Sequence, residues 1–177
     1  MNKPKLLTIG GMIIAAAFIR LLPHPPNFTP IFAMALFGGA YLSNKKMAFI
    51  LPLAAMLISD LFIGFHSFML VVYGSIALIT ALGFLLKNRV RPSTVIGASL
   101  LGSLIFYLIS NFAVWAMFDT YPHTIAGLGT SYVVGLPYLK NSILSGLFYS
   151  ALMFGSFELA KRKFPVLTDN NSGLESL

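Results

Sequence analysis

The chain predicts an all-α integral membrane fold: a bundle of six transmembrane helices with both termini cytoplasmic. Three observations carry this. Hydrophobic residues make up 57% of 177 residues and charged residues 10%, with a mean hydropathy of +0.84, where a soluble domain carries roughly 25% charged residues. Proline, glycine and basic clusters divide the apolar sequence into six segments. Ten of the twelve Lys and Arg fall in alternate gaps between them. Those gaps hold Lys3, Lys5, Lys45, Lys46, Lys87, Arg89, Arg91, Lys161, Arg162 and Lys163; the opposite gaps hold Arg20 and Lys140. Basic loops stay in the cytoplasm, so the second set, with His24, His66 and His123, faces out.

The first segment, Leu6–Leu22, gives about 26 Å of helix, near a full span, before the Pro23-His24-Pro25-Pro26 cluster ends it. Its continuous apolar run favours a retained span over a cleaved signal peptide. The second, Ile31–Leu42, reaches only about 18 Å of the ~30 Å core. Either residues 27–30 extend it or it lies in a pocket of the bundle. If it does not cross, the basic residues divide nine to three with the N-terminus outside, the poorer sorting. Met47–Phe65, Phe68–Leu86, Thr94–Phe118 and Asn141–Ala160 complete the set. Residues 1–163 form one transmembrane domain, and 164–177 form a polar, disordered cytoplasmic tail.

The net charge of +7 is accounted for by short juxtamembrane clusters, with no basic helix interleaved with aromatics; nucleic acid is excluded as a partner. The absence of cysteine removes disulfides, thiolate metal sites and cysteine nucleophiles. No nucleophile elbow, carboxylate pair or phosphate loop occurs, and no cofactor or catalytic residue is assigned.

The candidate ligand residues lie on the outer side. Asp60 stands within the third segment, where a carboxylate costs on the order of 2.5–3.5 kcal/mol. It requires a partner, which is either Arg20 or a ligand. Asn111 and Trp115 share a helix face at i and i+4, as a pocket wall or as an interfacial anchor. The segment 23–30 holds four prolines in eight residues and offers His24, Asn27 and Thr29 from a stiff backbone. The 22-residue stretch Asp119–Lys140, with Tyr121, Tyr132 and Tyr138, reads as an aromatic loop folded over the helices as a lid. On the inner side, Gly11 and Ala15 form a small-xxx-small pair, as do Ala98 and Gly102, while Ser142, Gly146 and Ser150 step along the last helix. Such stripes serve close packing or, on the first helix, a partner protein.

Arg20-Leu-Leu-Pro-His-Pro-Pro-Asn-Phe-Thr-Pro30 and Leu36-Phe-Gly-Gly-Ala-Tyr41 resemble a transport-protein group related to the substrate-binding S components of energy-coupling-factor vitamin transporters. More loosely, the chain is similar to the solitary S components for vitamin B12. The resemblance covers residues 6–163. It implies an S-component-like bundle in the bacterial inner membrane that captures a vitamin-like nutrient, cobalamin among the candidates, on its outer face. It further implies a first-helix stripe, here Gly11 and Ala15, against an energy-coupling ATPase module. The expected pocket residues are His24, Asn27, Asp60, His66, Asn111, Trp115 and Tyr138. The cobalt-ligating cysteine of the B12 group has no counterpart here; His66 is its one substitute. Two other classes remain: an intramembrane metal-dependent hydrolase using the three His and Asp60, and an assembly protein whose stripes bind a partner.

Overall fold

In the computed structural model, which describes residues 2–168, five α-helices pack around a sixth, the shortest. They are α1 (Lys3–Ile19), α2 (Ile31–Tyr41), α3 (Lys45–Ile63), α4 (Met69–Gly83), α5 (Pro92–Met117) and α6 (Ile125–Lys163). Single 3₁₀ turns occupy Phe84–Leu86 and Pro165–Leu167. Four of these elements, Lys45–Ile63, Met69–Leu86, Pro92–Met117 and Ile125–Lys163, are long and apolar enough to cross a membrane. Their outward faces are apolar, with Leu70 84% and Ile125 91% exposed among many Leu, Ile and Phe. Apolar surface on that scale marks lipid contact in a chain of this composition.

Local chemistry sets the helix starts. The Asn2 side chain accepts from the Lys5 amide (3.0 Å), Asn44 from Lys46 (2.9 Å) and Thr124 from Gly127 (3.1 Å), each satisfying an amide with no partner inside its helix. Pro92 opens α5, where a missing N–H costs nothing.

Every residue of α2 after Ile31 is buried, as a helix that is apolar all round requires. It contacts all five other helices. Phe37 meets Tyr41, Phe154 and Phe157 edge-on, joining α2 to the end of α6. Against α4 the backbones nearly touch. A Cβ at Gly39 would lie 2.2 Å from the Thr80 carbonyl oxygen, and one at Gly83 2.6 Å from that of Leu36. Only glycine fits at either position.

The aromatic stretch 119–140 departs from the sequence expectation. It is not a lid loop: the helix starts at Ile125 and runs unbroken through Pro137 to Lys163. The connection from α5 is only residues 118–124. Three bonds to α5 hold this part of α6. Tyr107 donates to the Tyr132 carbonyl (2.6 Å), Tyr132 to the Leu108 carbonyl (3.1 Å) and Ser131 to the Asn111 carbonyl (2.8 Å). They offset the intrahelical bond that Pro137 cannot make. Lower on the same seam Ser103 donates to the Ser142 carbonyl (3.1 Å), and a Cβ on Gly146 would lie 2.8 Å from Ser99 Oγ.

The tail also begins later than expected. Leu167 is buried, and Asn2 Nδ2 donates to the Val166 carbonyl (2.5 Å); residues 169–177 lie outside the described residues.

Candidate functional site

Three connections meet at one end of the bundle, the histidine end. Arg20 at the end of α1 pairs with Asp60 on α3. Phe68 before α4 packs on Phe118 after α5 (6.0 Å between centroids). At the opposite, basic end, Tyr41 donates to Glu158 Oε1 (2.5 Å) and Lys161 pairs with the same carboxylate (2.9 Å).

The proline segment is the unusual part of the histidine end. It is seated against α6 by two bonds: Asn141 Nδ2 donates to the Pro26 carbonyl (2.9 Å) and Ser145 Oγ to the Asn27 carbonyl (3.2 Å). From Glu158 back to Ser145 is roughly 20 Å of helix, so Asn27 lies about that far up the bundle. Above it, α5 continues from Ser103 to Met117 for roughly another 20 Å, which leaves α5 and α6 as a tall wall beside the coil. This explains how α2 can be short: the coil covers the rest of the distance. Irregular backbone at such depth is tolerated where it is buried in protein or lines a cavity. Its four prolines also lower the number of N–H groups that need acceptors. Asn27 adopts φ +60°, a left-handed conformation that Asn tolerates better than most residues.

Two adjoining cavities flank the coil. The first, about 330 Å³, is bounded by Arg20, His24, Asn27, Thr29, Phe32 and Phe106 among others. The second, about 390 Å³, lies between the coil and the α5–α6 wall, with Asn27, Phe106, Asn111, Tyr121, Tyr138 and Ser142 in its lining. Asn27, Val72 and Phe106 border both. Asn111 is set by its surroundings. Its Nδ2 donates to the Tyr107 carbonyl (2.8 Å), and a Cβ on Gly135 would lie 2.3 Å from its Oδ1. A glycine in α6 therefore makes the room in which this side chain sits.

The buried charges at this end neutralise each other. Arg20 Nη1 donates to Asp60 Oδ1 (2.6 Å) and Ser59 Oγ (2.6 Å), while Tyr73 donates to Asp60 Oδ2 (2.7 Å). The two charged side chains are 10% and 1% exposed. A buried carboxylate with both oxygens engaged is a structural element. Asp60 holds Arg20 at the wall of the first cavity and does not line either cavity itself.

A family of unknown function, DUF6580, matches residues 1–167. The chain belongs to DUF6580. No curated protein and no solved structure shows a significant match to it.

Of the seven expected pocket residues in this DUF6580 chain, His24, Asn27, Asn111 and Tyr138 line the paired cavities, and Asp60 acts through Arg20. The other two do not line them. His66 is exposed in the turn after Gly64, which has φ +104°. Trp115 turns its indole to the Pro122 carbonyl (3.0 Å) and packs edge-on against His123 (5.9 Å), so it fastens the α5–α6 connection. The metal-hydrolase constellation does not form: among the described residues no three His, Asp or Glu converge as a metal site. Phe106, which borders both cavities and meets Phe32 at 4.9 Å, has no signal in the sequence. An apolar residue in the middle of an apolar helix carries no mark of its role. Gly11 and Ala15 are exposed, and a Cβ on Gly11 would meet nothing within 4 Å, so that stripe faces away from the bundle.

Proposed function

We propose that this DUF6580 chain is a membrane substrate-binding protein that takes up a small, vitamin-like heterocycle through the paired cavities of the histidine end. The observation that carries this reading is the seating of the proline coil, with Asn27 in a left-handed conformation between two cavities. Strained, irregular backbone within an apolar layer clusters where ligands bind. The lining suits an uncharged or internally balanced ligand. His24, Asn27, Thr29, Asn111 and Tyr138 offer hydrogen bonds, Phe32, Phe106 and Tyr121 offer stacking faces, and the charge on Arg20 in the lining is already paired with Asp60. Cavities of 330 and 390 Å³ stand at the low end of the usual ligand range. They favour a thiamin-sized molecule over a whole corrinoid.

In this reading all six helices cross the bacterial inner membrane, both termini are cytoplasmic, and the histidine end faces out. The basic loops support that orientation. The outward-facing Gly11–Ala15 stripe is where an energy-coupling partner would contact α1 by close backbone approach.

The test is a thermal-shift screen of the purified full chain against heterocyclic vitamins. A ligand at 100 times its Kd stabilises by about 2.7 kcal/mol, a clear rise in melting temperature. Asn27→Ala and Tyr138→Ala should remove the rise. If no candidate shifts the melt and these substitutions leave uptake by cells unchanged, the reading fails.

A further inference from the structure

A third cavity, about 430 Å³, lies at the basic end between the first turns of α5 and the last turns of α6. It is an apolar groove with a charged rim. Pro92, Val95 and Ile96 form one side, and Leu147, Ala151 and Phe154 the other. Gly155 lines it, and a Cβ there would meet no atom within 4 Å, so the groove is open where the glycine sits. Arg91 and Arg162 line it at the end where α5 begins and α6 ends. Neither has an ion-pair partner among the described residues. The acid in the lining, Glu158, is hydrogen-bonded by Tyr41 and Lys161 and also feels the Arg162 charge, so one shared carboxylate leaves this rim with net positive charge.

We propose that the groove holds one anionic phospholipid, with its phosphate on Arg91 and Arg162 and an acyl chain running from there along Gly155 and Ala151 toward Leu147. Two guanidiniums sharing one carboxylate oppose the single negative charge of a phosphate diester and offer it planar, paired donors. The apolar stripe beneath them matches a chain that free phosphate lacks. The basic residues assign this end to the cytoplasm, the leaflet whose anionic lipids draw juxtamembrane arginines. The proposal rests on the membrane reading and not on the vitamin ligand, so either can fail alone.

The experiment is native mass spectrometry of the full chain, released from membranes containing equal phosphatidylglycerol and phosphatidylcholine. One phosphatidylglycerol per chain should be retained, preferred about tenfold over phosphatidylcholine. Arg91→Gln and Arg162→Gln should each weaken retention about fivefold. Gly155→Leu, which fills the groove, should abolish it, while Gly155→Ala retains it. Should Gly155→Leu fail to fold, the arginine variants decide the matter. Equal retention of the two lipids overturns the proposal, as does retention by a folded Gly155→Leu chain. Displacement by millimolar inorganic phosphate would make this a free-anion site. A two-chain complex lost on Gly155→Leu would make it a dimer seam. Either result also overturns the lipid.

Discussion

The two ends of the bundle handle charge in opposite ways. At the histidine end Arg20 and Asp60 neutralise each other under a cage of Ser59 and Tyr73, and the cavities beside them present mostly uncharged polar and aromatic groups. At the basic end one carboxylate, Glu158, serves Tyr41, Lys161 and the Arg162 charge, and Arg91 and Arg162 line a groove that keeps net positive charge. A buried, paired charge shapes a wall, whereas a net charge at a rim selects an anion. The difference teaches that a basic protein of this kind need not bind its substrate through its basic residues. Here the neutral end is the candidate substrate site, and the cationic end suits the lipid around it.

The sharpest way to break this comparison is to unpair the histidine end. Arg20→Ala or Asp60→Ala leaves a buried charge alone and should cost about 3–5 kcal/mol, seen as a large fall in melting temperature. Replacing both by apolar residues of similar size should recover most of it. If the single variants melt like the wild type, the pair is not structural and Asp60 returns as a direct ligand group.

Next in size are changes to the neutral lining. Asn111→Ala should weaken ligand binding by about 1–2 kcal/mol, roughly five- to thirtyfold, with the melt of the free protein little changed. Gly135→Ala should mimic it, because the added methyl collides with the Asn111 carboxamide. Calorimetric titration with the ligand found by screening checks both. A loss of stability with unchanged affinity would assign Asn111 to packing alone.

Smaller effects sharpen the boundary of the site. Trp115→Phe removes the bond to the Pro122 carbonyl and should cost about 1 kcal/mol of stability without altering affinity. His66→Ala should change stability by less than ~0.5 kcal/mol, as exposed positions generally do, and leave binding unaltered. A visible-absorption change on His66→Ala with bound cobalamin would contradict this and restore His66 as a ligand.

Much of the fold could be read in the residues because lipid imposes simple rules. The apolar segments, the shortness of α2 and the cost of Asp60 all followed from helix rise and desolvation. Arg20 was the available counterion, and the structure pairs them. The extension of α6 over 125–140 was not legible. Pro137 and three glycines argue locally against helix, and the bonds that outweigh them come from Tyr107 and Ser131 across the α5–α6 seam. Trp115 shared a face with Asn111 as its spacing required, yet helical spacing cannot show that Pro122 offers a nearer acceptor. Of the four expected pocket residues that line the cavities, Asn111 stood out because a polar residue is expensive within such a helix, and His24, Asn27 and Tyr138 because they fall in the polar and aromatic gaps between the apolar segments. Phe106 and Gly135 escaped notice because apolar and small residues are ordinary there.

The absence of cysteine makes one measurement decisive: labelling of Tyr138→Cys and Gly155→Cys chains by a thiol-reactive probe, with and without each ligand. The account predicts that a heterocyclic vitamin slows labelling of Tyr138→Cys only, and that phosphatidylglycerol slows labelling of Gly155→Cys only. A heterocycle that slows labelling at Gly155→Cys, or protection of both positions by the same ligand, would contradict the division of the molecule into a neutral substrate end and a cationic lipid end.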